Sequence, residues 1–295
     1  MEISISRATD FSILAQFLCG ININENQHIG YCGEKNEEIL QSLEEDFIDQ
    51  HGKKTFLIVE DLDGVKAAIG FDIDEESASA EVWGPFVKSD LNSQQISMEL
   101  WHEIKKIYPS IHTFNFFINE QNKGVLSFMK EINATQTGKH LVLQIEREKF
   151  IPLKKFKSNL FQISDFESFA NIHNKAFPNA YYGANTILNR INEQQELRIL
   201  KDDKGNVQGY AYFEVTPGYG EASIEFIAVS SRFQNQGLGT ILLKEVLTRI
   251  FMYESIDKIQ LCVAITNDQA NHVYHKAGFY TKHQLLSYSY IDGTI

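Results

Sequence analysis

The sequence is poor in cysteine, in proline and in basic residues, and each shortage removes a class of protein. Three cysteines (Cys19, Cys32, Cys262) in 295 residues, with no C-x-x-C spacing, supply neither a disulfide framework nor a zinc cluster, so no metal is expected. Cys262 sits in the apolar run Leu261-Cys262-Val263-Ala264 and is expected to be a buried thiol rather than a nucleophile. Five prolines and 18 glycines leave no room for collagenous, mucin-like or long flexible segments. Lys and Arg number 27 against 39 Asp and Glu, for a net charge of −12. Such a balance argues against binding nucleic acid through its phosphates and suits a cationic or small neutral partner, although an acidic surface also serves solubility. No apolar run approaches the roughly 18 residues that cross a bilayer, and residues 1–7 lack a basic stretch leading into an apolar one. The expectation is a cytoplasmic protein without a membrane partner.

What is present is material for two cores. The hydrophobic fraction is 43%, the charged fraction 22%, and the length fits two domains of about 150 residues each. The two halves echo each other. Ala8-Thr9-Asp10-Phe11-Ser12-Ile13-Leu14-Ala15 is answered by Ile163-Ser164-Asp165-Phe166-Glu167-Ser168-Phe169-Ala170, each reading as a short strand, a polar cap and an amphipathic helix. Residues 111–134 align without a gap on 256–279, placing Asn122 on Asn267 and Met129 on Tyr274. Two echoes in the same order imply duplication. The apolar strand Leu141-Val142-Leu143-Gln144-Ile145 ends before Lys149-Phe150-Ile151-Pro152, so a linker is expected near Pro152, between domains 1–150 and 151–295.

In the second half, Leu197-Arg198-Ile199-Leu200 reads as a strand, Asp202-Asp203-Lys204-Gly205-Asn206 as a hairpin turn, and residues 207–215 and 222–229 as further strands. Leu238, Ile241, Leu242, Val246, Leu247 and Ile250 recur at helical spacing. Residues 259–265 form a strand, and 268–277 a helix stopped by Gly278. Hairpins followed by strand-helix-strand-helix predict an α/β protein of the α+β kind, with a mixed sheet and helices on its faces.

Between the strand ending at Val229 and the helix starting at Leu238 stands Gln234-Asn235-Gln236-Gly237-Leu238-Gly239. A glycine turn at a helix N-terminus presents several backbone N–H groups in one direction, and the helix dipole adds partial positive charge, so a pyrophosphate is the natural ligand. By itself such a turn often only starts a helix. Downstream comes Thr266-Asn267-Asp268-Gln269-Ala270-Asn271-His272-Val273-Tyr274-His275-Lys276-Ala277-Gly278-Phe279. Together the two segments resemble the GNAT superfamily of N-acetyltransferases, whose pyrophosphate loop reads Q/R-x-x-G-x-G/A and whose next helix carries N-x-x-A-x-x-x-Y-x-x-x-G-F.

The resemblance implies two tandem GNAT-like domains, with acetyl-CoA as co-substrate and a primary amine of a small molecule or peptide as acceptor. It also implies roles. Backbone amides of Gln234, Asn235, Gln236, Gly237, Leu238, Gly239 and Thr240 would hold the pyrophosphate. Ala228 and Val229 would pair with the pantetheine arm like an added strand, and Asn267 would bond to the same ligand. Tyr274 would protonate the departing thiolate; a phenol of pKa about 10 can pass its proton to a sulfur anion of pKa about 8.5 when the fold positions it. Tyr274 also shares a helix face with Ala270, Val273 and Ala277, so a core role stays open.

A base must accept the proton of the acceptor amine. Glu225 lies in the strand Ile224-Glu225-Phe226-Ile227-Ala228-Val229, where desolvation would raise its pKa as a general base requires. Glu221 and Ser223 share its face by alternation and could act through water. In this family the acceptor site draws on the loop after the first helix, here Ala176-Phe177-Pro178-Asn179-Ala180-Tyr181-Tyr182-Gly183. Tyr181 and Tyr182 either wall a pocket there or pack on a neighbouring surface. His272 and His275 have no third ligand in view and read as surface residues.

The first half departs from the pattern. It has Lys88-Ser89-Asp90-Leu91-Asn92-Ser93-Gln94-Gln95 without glycine where the loop should be, and Met129 in place of the tyrosine. It is expected to be a degenerate GNAT-like domain that has lost acetyl-CoA binding. Competing readings are a non-catalytic acyl-CoA sensor, an enzyme using another acyl-CoA, and a dinucleotide binder; the last lacks the acidic residue such a site wants about 20 positions on.

Overall fold

The computed structural model describes residues 4–30, 32–88 and 92–293. Ser89, Asp90 and Leu91, in the first-half stretch compared with the pyrophosphate loop, lie outside the described residues. Contacts divide the chain into two units, one of residues 1–140 with 283–295 and one of 141–282.

In the first unit, β1 (Ile5–Arg7) leads to Asp10, whose carboxylate accepts from the N–H groups of Ser12 and Ile13 at 2.8 and 3.2 Å. That cap starts α1 (Phe11–Asn22), which buries Phe11, Leu14, Ala15 and Leu18 at helical spacing. There follow α2 (Asn36–Asp46), β2 (Phe56–Asp61), β3 (Gly64–Asp74), β4 (Ser79–Val87), α3 (Ser93–Ile107), β5 (Thr113–Asn119), α4 (Lys123–Glu131) and the start of β6 (Thr135–Glu146). β1 to β4 pair antiparallel in sequence order, whereas β5 pairs parallel with β4 only from Ser79–Glu81 to Thr113–Asn115. Beyond that the two strands diverge. The core of this unit gathers α1, α3 and the sheet around Trp101, Phe71, Phe114 and Phe128.

The second unit repeats the order. It has β7 (Ser158–Leu160), α5 (Phe166–Ala176), α6 (Ala184–Arg190), β8 (Gln195–Lys201), β9 (Val207–Thr216), β10 (Glu221–Val229), α7 (Leu238–Ile250), β11 (Lys258–Ala264), α8 (Asp268–Ala277) and β12 (Tyr280–Ile291). The expected hairpin turn at 202–206 is formed, with Asp202 accepting from the N–H groups of Lys204 and Asn206. Gly278, at φ 114°, caps α8 in the left-handed region as expected from the sequence. β10, β9, β8 and β7 form an antiparallel sheet in which β10 is the outermost strand.

Two strands do not follow the simple tandem plan. β6 starts in the first unit and ends in the second, beside β11; β12 starts in the second and ends in the first. There it pairs antiparallel with β5, from Leu285 opposite Asn119 to Ile291 opposite Thr113. The halves have exchanged their last strands. The division therefore falls at 140/141 and 282/283, and the segment around Pro152 lies inside the second unit.

Cys262 corrects an expectation. It is exposed, because β11 turns Ile259 and Val263 to the core and Gln260 and Cys262 to the other face.

Candidate active site

The site grows from one edge of one sheet. β10 is laddered to β9 on one side, through Val229 opposite Gly209 and Ala228 opposite Tyr210. Its other side faces a cleft of about 380 Å³, within the range of small-ligand pockets. The cleft is lined by Glu225, Ala228, Val229, Gln234, Gly239, Asn267 and Tyr274, all named from the sequence. Seven further residues line it: Ala176, Phe177, Ile224, Ile227, Gln269, Ala270 and Val273. Ala270 and Val273 were legible as the helix face of Tyr274; Gln269 carried no signal.

At one end lies the glycine loop. Gly237 is the residue before α7, at φ 76°, and no side chain caps that helix. Its first N–H groups carry no side-chain acceptor, and an anion is what such groups and the dipole favour. Asn235 also lies in the left-handed region, at φ 61°. Gln234 donates its amide to the Val229 carbonyl at 3.2 Å, tying the loop to the strand edge. Asn235, Gln236, Gly237, Leu238 and Thr240 sit in the loop and first turn beside the cleft. A Cβ at Gly239 would lie in ordinary contact with Val273 and Val229, at 3.6 and 3.8 Å, both of which line the cleft.

α7 is held in place from its far half. Glu245, buried to 1% exposure, accepts from the N–H groups of Lys157 and Ser158 at 2.6 and 2.9 Å and from the Ser158 hydroxyl. One turn on, Arg249 bonds Glu196 at 2.6 Å. Buried carboxylates are tolerable only when satisfied in this way.

At the other end are two ionisable side chains, Glu225 and Tyr274. The register of β10 slips between Ile224 and Phe226, so Glu225 is the extra residue of a bulge. The bulge breaks the alternation read from the sequence and puts Glu225 on the cleft wall together with Ile224. Burial raises the Glu225 carboxyl above its ordinary pKa. Its two oxygens accept from the hydroxyls of Tyr181 and Ser223. Tyr274, also raised in pKa by burial, packs edge-on against Phe279 at 5.5 Å while lining the cleft, so it serves core and cleft together. Asn267 caps α8 by accepting from the Ala270 N–H at 3.1 Å.

The loop between α5 and α6 is anchored by buried His173. Its Nε2 donates to the Tyr182 carbonyl at 2.8 Å and its Nδ1 accepts from the Tyr210 hydroxyl at 2.5 Å, a neutral ring that burial favours. Tyr181 then lies on Phe226, ring centres 5.2 Å apart, with its hydroxyl on Glu225. Tyr182 stacks instead under Arg190 at 4.4 Å, and neither tyrosine nor the exposed Glu221 is part of the cleft lining, Tyr181 reaching it only through Glu225.

The first unit repeats the cap but not the chemistry. Asn122 caps α4 through Val125, and Met129, 1% exposed, fills the helix position of Tyr274. A cleft of about 430 Å³ there has an uncharged lining, and its Val87 carbonyl accepts from the Gln27 amide at 3.2 Å. His28, Glu34 and His283 bring ligand-type atoms within 4.8 Å of one another. Asn119 Oδ1 accepts from the Gln121 N–H, which leaves the Asn119 amide donating to His283 Nδ1 at 3.2 Å. The ring proton is thereby on Nε2, donated to Glu34 at 3.0 Å, where a metal would need a lone pair. No helix among the described residues is long and apolar enough to cross a membrane.

Residues 166–279 match the family model described as acetyltransferase (GNAT) family. No curated protein sequence matches the chain significantly. A GCN5-related N-acetyltransferase from Sphaerobacter thermophilus superposes with a TM-score of 0.71 at 17% identity, over 97% of this chain and 95% of that one. A tandem GNAT protein from the clavulanic acid biosynthesis pathway, determined without AcCoA, gives 0.62 at 14% identity over 100% of both chains. A putative acetyltransferase from Pyrococcus horikoshii gives 0.53 at 14% identity, over 98% and 89%. The glycine loop and the strand edge thus fall inside the segment that matches the acetyltransferase (GNAT) family model, residues 166–279, and the fold of the chain is similar to that of a tandem GNAT protein.

Proposed function

We propose that the second unit binds acetyl-CoA in the cleft beside β10 and transfers the acetyl group to a primary amine of a small molecule or peptide. The observation that carries this reading is the two-ended cleft. Uncapped N–H groups of α7 wait at one end, and a carboxylate and a phenol wait at the other. The diphosphate would lie on the backbone from Gln234 to Thr240, where Gly237 takes the left-handed conformation, at φ 76°, that turns the loop into α7. The pantetheine arm would add to the free edge at Ala228 and Val229 as an extra strand. Bound in this way, acetyl-CoA supplies an activated acyl carbon.

The residues then move protons. Glu225 takes one from the acceptor's ammonium, leaving a nitrogen lone pair to attack the thioester carbon. The new C–N bond forms as the C–S bond breaks. Tyr274 gives its proton to the departing sulfur, the acylated nitrogen sheds its second proton through water to the tyrosinate, and Glu225 releases the first to solvent. Holding both partners in one cleft supports a ternary complex rather than an acylated enzyme. The first unit we read as not binding acetyl-CoA, on its glycine-free stretch at 88–95, its Met129, and the Gln27 amide on Val87. The test is thiol release from acetyl-CoA by the full chain with spermidine, kanamycin and a short peptide as acceptors. Release that depends on the amine supports the reading; tight acetyl-CoA binding with no release for any amine or acyl chain would leave a binding module.

A further inference from the structure

We propose that Tyr181 is a removable cap on Glu225, which an acceptor entering as an ammonium ion displaces; this rests on the acyl transfer assigned to the same cleft. Three observations carry it. Both oxygens of the Glu225 carboxylate are occupied by hydroxyl donors, Tyr181 from the loop and Ser223 from its own strand. Glu225 is the sole charged side chain among the described residues lining the cleft, so nothing there competes with a cation for it. The remaining polar residues of the cleft lining are Tyr274 and Gln269 on α8, Asn267 just before it, and Gln234 on the loop, all uncharged side chains.

The two hydroxyls differ in freedom. Ser223 is part of β10 and cannot leave. Tyr181 is 66% exposed, and its ring rests on Phe226 and Tyr182, at 5.2 and 4.6 Å between centres, without being enclosed. An ammonium offers Glu225 a charge-assisted hydrogen bond that outweighs that of a neutral phenol. The displaced ring presents its face to the same cation. A neutral or acidic acceptor gains neither interaction, so the cap selects for cationic amines and keeps the base covered when none is bound.

The experiment compares wild type with Tyr181→Phe, which keeps the ring and removes the donor. NMR titration of carboxyl-labelled glutamate, with the Glu225 signal assigned through Glu225→Gln, needs no acceptor. Loss of a hydrogen bond to the ionised form must move the Glu225 titration to higher pH. An unchanged titration overturns the proposal. With spermidine as acceptor, removing a competitor worth a net hydrogen bond lowers KM for the amine about fivefold and leaves KM for acetyl-CoA unchanged. A raised amine KM overturns it as well, since Tyr181 would then hold the acceptor rather than yield to it. If wild type turns over no amine at all, the transfer reaction fails, while the titration still decides on the cap.

Discussion

Glu225 and Tyr274 face the same cleft and are both raised in pKa by burial, and the signs of those shifts fix the pH profile. A base works ionised, so kcat/KM should fall as pH drops through a value above the ordinary carboxylate range. An acid works protonated, so the alkaline loss attributable to Tyr274 should lie above the ordinary tyrosine value of about 10. A pH–rate profile checks both, and Glu225→Gln should remove the acid limb. Tyr274→Phe should lower kcat about 100-fold while acetyl-CoA affinity stays nearly unchanged; an unaltered kcat would take the acid role away. Gly237→Glu places a Cβ and a negative charge at φ 76°, where phosphates would lie, and should cost at least about 100-fold in affinity by calorimetry.

The helix stop and the hairpin turn of the second half were legible residue by residue, because each answers a local demand: Gly278 a left-handed cap, Asp202 a turn; that Asn267 caps α8 was not, since its place in the motif pointed to the ligand alone. Placement within elements was harder. A bulge needs no special residue, so nothing around Glu225 announced the break in alternation. The exposed Cys262 was misread for a related reason: an apolar run does not say which of its alternating residues meets the core.

Between elements, β3 and β4 carry a stability device of their own. Asp72 stands opposite Glu81, with Asp46 and Asp74 near, and its pKa is raised to about 6 by burial first and then by those acids. A carboxyl whose folded pKa is raised favours the native state while protonated. Its contribution is whole below the unfolded value of 3.8 and is lost as pH rises to about 6. Asp72→Asn should therefore raise the melting temperature at pH 7.5, by about 2–4 °C for each kcal/mol recovered, and change little at pH 3.5. Differential scanning calorimetry at the two pH values decides. At the scale of one helix, Glu245→Ala takes the acceptor from the buried Ser158 N–H and hydroxyl and from the Lys157 N–H. A loss of about 2–4 kcal/mol in denaturant unfolding is expected.

Both units run through the same order of elements, and β6 and β12 each pass from one unit into the other. The repeat itself was readable, since Asn122 and Asn267 both begin a helix that carries Met129 and Tyr274 at the same position. The exchange of β6 and β12 was not, because a strand's pattern tells which face is apolar and not which neighbour it joins. A chain ending at Lys282 removes the strand that pairs with β5 inside the first unit, leaving a bare edge. Limited proteolysis should then cut the first unit rapidly; resistance equal to that of the full chain would show that β12 is dispensable there.

The claim beneath all of this is that backbone donors at the start of α7 hold the diphosphate of a CoA thioester. Isothermal titration of the full-length protein with acetyl-CoA, and with CoA alone, tests it most directly. One molecule of either bound per chain, lost in Gly237→Glu, is the predicted result. Folded protein that takes up neither ligand would contradict it.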